Sequence, residues 1–332
     1  METREFGRSG LRLSVLGFGC GAVGGLMVRG APADRERAVA RALEVGVNYF
    51  DTAVQYGDGL SETHLGQALA KLGARDAIVG TKVRIPSAAY GEIGATIAAS
   101  LEASLARLGR DRVDIFHLHN PITEAGGGET LSAAQVMDEV LPAFQALRSA
   151  GKTRFLGITA VGDTGPIHRV LEGGDFASAQ VTYNLLNPSA GSVLPAGYPG
   201  QDYDRLLDRM KGWGVGAIGI RVLAGGALSG TDQRHPIASP PPAPIGSAWH
   251  YEDDLARAAR FAPLIAEGFA TSLAEAATRF ALSHPGMGTI LVGIATPEQF
   301  EQALAAAQRG PLPGAALARI AAIQQSLTGA AR

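Results

Sequence analysis

Eight short runs rich in β-branched and aromatic residues recur along the chain, each followed by a stretch with apolar residues three and four apart. The runs are VLGF (15–18), NYFDTA (48–53), AIVGTKV (77–83), VDIFHLH (113–119), TRFLGIT (153–159), AQVTYN (179–184), VGAIGIRVL (215–223) and TILVGI (289–294). Between them lie helical stretches such as DRERAVARALEVG, ETHLGQALAKLG, GATIAASLEASLARLG and VLPAFQALRSAGK, with glycine stops. Eight such units make a parallel (β/α)8 TIM barrel. An open doubly wound sheet alternates in the same way, but the count of eight favours closure. The expectation is one α/β barrel domain over residues 1–332, although the length alone would allow two domains. Three connections are long, about 122–137, 188–201 and 229–252, the last containing SPPPAP. All three follow strand C-termini, the face where barrel enzymes carry their chemistry.

Charge and cysteine content narrow the setting. The net charge is −2, the hydrophobic fraction is 46%, and no run of like charges stands out, which argues against a nucleic-acid partner. Cys20 is the only cysteine, so no internal disulfide forms and a reducing compartment is expected. METREFGRSG lacks the apolar segment of a signal peptide, and no stretch is apolar enough to span a bilayer, so a cytoplasmic protein is expected. No heptad or exposed apolar stripe sets an oligomeric state.

LGFGCGAVGG (16–25) carries the G-x-G-x-x-G spacing at Gly19, Gly21 and Gly24. That spacing binds dinucleotides when a strand feeds a glycine turn that opens directly into a helix, whose N–H groups hold the pyrophosphate. Here LMVRGAPAD follows, with Gly30 and Pro32 interrupting, and the first helix is expected from Asp34. The reading is therefore of a barrel loop and not of a Rossmann turn.

The strand ends carry the chemistry. The second run leads to Asp51 and Tyr56, the third ends near Lys82, and the fourth holds His117 and His119. Neighbouring parallel strands lie about 4.8 Å apart, so these groups can meet at one mouth. A phenol is a poor acid near neutrality unless a cation stabilises its phenolate. Lys82 could supply that charge, Asp51 could hold Lys82 protonated, a histidine could orient the substrate oxygen, and Tyr56 could donate the proton as hydride reaches a carbonyl carbon. Each residue alone also fits a plain structural role: a loop-capping Asp, a rim lysine, a packed tyrosine, a core histidine. Their joint placement on consecutive strand ends is the informative feature, and the chemistry requires no metal.

The stretch FDTAVQYGDGLSETHLG, together with GTKV and RVDIFHLHNP, resembles the aldo-keto reductases, and the likeness runs over nearly the whole chain. The resemblance implies Asp51, Tyr56, Lys82 and His119 as catalytic residues, with His119 preferred over His117 because a residue and a proline follow it. It implies NADP(H), with NAD(H) as close alternative, bound without a Rossmann domain at the C-terminal face of the strands. Gly21 is then expected to line the nicotinamide end, and GITAVG and AQVTYNLLNP to bring Thr159 and Gln180 to the carboxamide. Ala160 stands where the family usually has asparagine, and Ile220 where a tyrosine often stacks. Arg221, Ala224, Gly225 and Gly226 are expected at the pyrophosphate. In ILVGIATPEQFEQA, Thr296 and Pro297 form a helix start. The family's phosphate-binding cations fall at Gly293 and Gln299, and its adenine-facing pair at Gln302 and Ala303, so no charge there selects a 2′-phosphate.

The substrate is expected to be a small carbonyl compound or sugar. Leu26, Met27, Asn120 and Trp249 stand either as pocket walls or as ordinary loop anchors. Two other readings remain at this level. One is a cofactor-sensing regulatory barrel. The other is Schiff-base chemistry on Lys82, which an adjacent Asp51 opposes.

Overall fold

The computed structural model describes residues 1–247 and 250–327. Its strands β1 (Leu16–Gly19), β2 (Tyr49–Asp51), β3 (Ile78–Val83), β4 (Val113–Leu118), β5 (Thr153–Ala160), β6 (Ser178–Thr182), β7 (Gly216–Ile220) and β8 (Met287–Gly293) pair in chain order. All pairings are parallel, and β8 closes on β1 with Leu291 opposite Gly17 and Gly293 opposite Gly19. Helices α1 (Pro32–Glu44), α2 (Leu60–Lys71), α3 (Ile93–Leu108), α4 (Leu141–Ser149), α5 (Thr164–Glu172), α6 (Leu206–Trp213), α7 (Leu273–Ser283) and α8 (Pro297–Gln308) each follow the strand of the same number. The expected closed (β/α)8 barrel is the fold. Among the described residues, no helix is long and apolar enough to cross a membrane.

Period-two alternation sorts the strand residues into two cores. Phe18, Phe50, Val79, Phe116, Leu156 and Val181 belong to the large apolar cluster shared with the helices. Tyr49, Ile115, Ile218 and Leu291 turn inward and pack with Phe6, Leu11 and Leu13 of the N-terminal hairpin, Thr3–Glu5 paired with Arg12–Ser14. That hairpin plugs the N-terminal end of the barrel. A Cβ on Gly216, the first residue of β7, would stand 2.7 Å from the Phe6 ring. The interior is thus filled from below, and polar side chains collect at the other rim.

Two local expectations change. A helical turn, Leu26–Arg29, does follow the glycine stretch, and α1 begins at Pro32, whose missing N–H costs nothing at a first helical position. The turn is only four residues long, and the glycine spacing serves packing: a Cβ on Gly24 would lie 2.3 Å from the backbone of Ile294. The seventh strand stops at Ile220 because Arg221 takes a left-handed φ of 56°.

The S-E pair after the tyrosine motif is a structural clamp. Ser61 donates to the Cys20 carbonyl at 2.9 Å, and buried Glu62 accepts from Thr81 at 2.5 Å and from Arg107 at 2.6 Å, tying α2 to β3 and α3. Removing one partner of a buried pair leaves a charge without compensation. Arg107→Leu is therefore expected to lower unfolding stability by about 3 kcal/mol, measured by urea denaturation; a loss below about 1 kcal/mol, the scale of a surface pair, would contradict this account.

Candidate active site

Asp51 ends β2, and its inward side chain is held by three donors. Lys82 Nζ reaches Oδ1 at 2.5 Å, while Tyr49 Oη at 2.9 Å and Gln180 Nε2 at 2.6 Å both reach Oδ2. Lys82, fully buried, also donates to the Thr52 carbonyl at 2.8 Å and to the Tyr56 hydroxyl at 3.1 Å. After β2 the Tyr56 amide donates to the Ala53 carbonyl at 3.1 Å, which turns Tyr56 back beside Lys82, and left-handed Gly57, Asp58 and Gly59 then lead the chain into α2. Lys82 Nζ lies 4.8 Å from its ring centroid. His119, just past β4, meets the Tyr56 ring edge-on with centroids 6.1 Å apart, and its Nδ1 is 3.0 Å from Gln55 Oε1. The four expected groups therefore converge. His117 lies deeper, against Ser178 at 3.0 Å.

Electrostatics assigns their states. Burial pulls the Lys82 ammonium down, but Asp51 and Tyr56 outweigh it and hold its pKa above the ordinary value. Lys82 is thus a cation and not a free amine, which removes the Schiff-base reading. Burial pushes the His119 pKa down to about 3, with Lys82 and Arg84 adding to the effect, so the imidazole is neutral near neutrality. For Tyr56 the net direction is upward: burial raises the phenol, Lys82 opposes it, and Asp51 raises it again. The expected acidification by Lys82 is present as one contribution, but desolvation exceeds it because Asp51 already neutralises much of the ammonium's field.

The remaining expected positions divide. Thr159 and Gln180 face each other across β5 and β6, Ile220 ends β7, and Gly293 ends β8, all at the same rim. Thr159 Oγ1 is buried without a hydrogen-bond partner, and a Cβ on Gly21 would meet nothing within 4 Å. Arg221 is half-buried, its pKa lowered by desolvation with no carboxylate beside it. Arg221, Ala224, Gly225 and Gly226 all have positive φ, so the chain after β7 curls into a left-handed loop, closed by the Ala224 amide donating to the Arg221 carbonyl and the Gly226 amide to the Leu223 carbonyl, each at 2.8 Å. Segment 229–247 arches over this loop: Arg234 donates to the Gly225 carbonyl at 2.8 Å, and Ser239 to the Ala22 carbonyl at 2.7 Å. Its far end joins the loop after β6 through Asn187 and the Gly246 carbonyl, 2.5 Å apart. The buried orphan hydroxyl of Thr159 fits a dinucleotide's carboxamide, and the Arg221 guanidinium, with no carboxylate partner among the described residues, fits its pyrophosphate.

Several positions turn out to have internal roles. Gln180 is committed to Asp51. Gln299 accepts from the Ala295 amide at 2.7 Å, and Thr296 caps the Gln299 amide at 3.3 Å. Gln302 is exposed on α8. Leu26 and Met27 are buried in the core, and Asn120 bonds both the amide and the carbonyl of Ile85 at 2.8 Å, so these are anchors. Trp249 lies outside the described residues. Sequence reasoning missed Tyr49 and Gln55; their only signal was adjacency to Asp51 and Tyr56.

A closed eight-stranded barrel whose C-terminal rim gathers a carboxylate, an ammonium, a phenol and a neutral imidazole is the framework of a barrel oxidoreductase. The Aldo/keto reductase family model matches residues 15–325, and the chain belongs to that family. It is similar to L-galactose dehydrogenase of Arabidopsis thaliana, 31% identical over 316 residues, covering 92% of this chain and 88% of that protein. NADH-specific methylglyoxal reductase of Escherichia coli (strain K12) is 26% identical over 327 residues, covering 92% and 93%. The solved structure of aldo-keto reductase AKR11C1 from Bacillus halodurans (holo form) superposes with a TM-score of 0.70 at 26% identity, covering 100% of this chain and 97% of that one. The protein is an NAD(P)-dependent oxidoreductase acting on small molecules.

Proposed function

We propose that the protein interconverts a small polyhydroxylated aldehyde or hemiacetal and its oxidised or reduced partner, with Tyr56 as the general acid and base. The observation that carries this reading is the unbroken chain Asp51–Lys82–Tyr56 beside His119. A bound nicotinamide supplies or accepts the hydride. In reduction, Tyr56 gives its proton to the carbonyl oxygen as the C–H bond forms at carbon, and the phenolate left behind is stabilised by Lys82 at 3.1 Å. Asp51 keeps Lys82 protonated. His119, neutral with its proton on Nε2, donates to the reacting oxygen and orients it, the Gln55 amide then turning its N–H to the bare Nδ1. Oxidation runs the same steps backwards.

The surroundings of His119 support a hydrogen-bonding substrate. Gln55 touches it, and Arg84, paired with Glu129 at 3.4 Å, contributes a nearby charge. These groups suit hydroxyls better than an aliphatic chain, in keeping with the sugar named for the plant relative. Nicotinamide absorbance followed across panels of aldoses, simple aldehydes and ketones tests this. Turnover confined to apolar carbonyls would overturn the substrate class.

For the cofactor, the first turn of α8 favours NAD(H). Thr296 and Gln299 already cap the helix, and Glu298 places a carboxylate there, paired with Arg37 at 2.9 Å. A 2′-phosphate in that turn would have to compete with Glu298 for Arg37. Fluorescence titration is expected to give an NAD(H) dissociation constant no weaker than that for NADP(H). Glu298→Gln is expected to tighten NADP(H) by about fivefold, as removal of one exposed, solvent-screened like charge allows. Parent protein binding NADP(H) tenfold tighter would contradict this.

A further inference from the structure

We infer that Tyr49 is a positioning residue of the active site, holding Asp51 from below through its hydroxyl so that the carboxylate shares less of its charge with Lys82. The inference rests on the proposed role of Tyr56 for its consequence in turnover, but its geometry stands apart from that role.

Tyr49 lies two residues before Asp51 on β2, inward-facing and without exposure. The flanking strands leave space for its ring. A Cβ on Gly17 of β1 would stand 2.9 Å from Tyr49 Cδ1, and one on Gly80 of β3 would stand 2.5 Å from Tyr49 Oη. Any side chain at either position would displace the ring or the hydroxyl. The niche is therefore shaped for a tyrosine, since an apolar residue would fill the same volume without bringing a donor to Oδ2. Its hydroxyl stays protonated: burial drives its pKa far up and Asp51 drives it further. It acts as a fixed donor and not as a second acid.

The consequence reaches Tyr56 through the lysine. Asp51 has one oxygen on Lys82 and the other on Tyr49 and Gln180. Each donor on Oδ2 stabilises negative charge away from Oδ1, which loosens the carboxylate's hold on the ammonium and leaves more of the ammonium's field for the phenol. Removing the Tyr49 hydroxyl reverses this and raises the pKa of Tyr56. The other titratable groups around that phenol are Cys20 after β1, His119 after β4 and Arg221 after β7, and none of them touches Tyr49 by hydrogen bond.

The test is Tyr49→Phe in the full chain, which keeps the ring in its niche, with a fluorinated tyrosine placed at position 56 as reporter. Its phenol titration by fluorine NMR is expected to move up by about 0.5 to 1 pH unit relative to the same reporter in the parent background. The pH profile of kcat is expected to move in the same direction, with the cofactor dissociation constant unchanged. Gly80→Ala, which pushes the hydroxyl aside while leaving it present, is expected to reproduce the direction. Superimposable fluorine titrations in parent and Tyr49→Phe protein would overturn the inference. A shifted fluorine titration without a shifted kinetic profile would support the Tyr49 inference and count against Tyr56 as the acid.

Discussion

Tyr56→Phe is expected to lower carbonyl reduction by at least about 10²-fold while leaving nicotinamide binding intact, because only the proton donor is lost. The ring's neighbours remain: the edge contact with His119 and the ammonium over its face do not depend on the hydroxyl. Steady-state turnover and cofactor titration on the same preparation separate the two effects. His119 is a poor substitute as acid, since burial holds its pKa at about 3 and leaves it no proton to give as an imidazolium near neutrality. Turnover within about tenfold of the parent would therefore mean that a group outside this cluster supplies the proton.

Lys82→Met carries an equally large effect with a different signature. It removes the cation beside the phenol and also strands Asp51, whose side chain is only 4% exposed. Activity is expected to fall by about 10³-fold, and stability by about 3–5 kcal/mol, as for breaking one side of a buried ion pair. The double variant Asp51→Asn with Lys82→Met removes the stranded charge, so stability is expected to return in large part while activity stays low. If the double variant is no more stable than Lys82→Met, measured by denaturant midpoint, the buried-charge account fails. The pH dependence has a definite sign. The folded pKa of Lys82 is raised, so its contribution to stability is fully present below the ordinary lysine value of about 10.4 and is lost as pH rises through the folded value. The same contribution is absent from both variants, so their stability difference from the parent is expected to shrink in alkaline solution.

Much of this protein could be read from its residues in order. The β-branched runs and the helical spacing between them define eight βα units because each periodicity is local, and the barrel follows from their number. Asp51, Tyr56, Lys82 and His119 stand out because each lies at or just past a strand end, and consecutive parallel strands bring such ends together with little freedom. Boundaries were less legible. A single left-handed residue, Arg221, ended a strand whose apolar pattern continued, since backbone φ there answers to the loop's contacts and not to hydrophobicity.

Tertiary structure alone decided what those groups do to one another. Gln180 and Asp51 are 129 residues apart, and whether that amide faces a cofactor or the carboxylate depends on the tilt and stagger of strands across the barrel, which no local pattern encodes. The same holds for Tyr49, whose hydroxyl finds Asp51 only because glycines on both flanking strands leave the niche open. It holds again for Tyr56, half-buried at the rim, where the balance between burial and Lys82 depends on how deeply the surrounding segments sink the phenol. Sequence determined the architecture and the identity of the reactive groups, because those follow from spacing along one chain. Their protonation and pairing came from the fold, because these depend on distances between segments that meet only once the barrel closes.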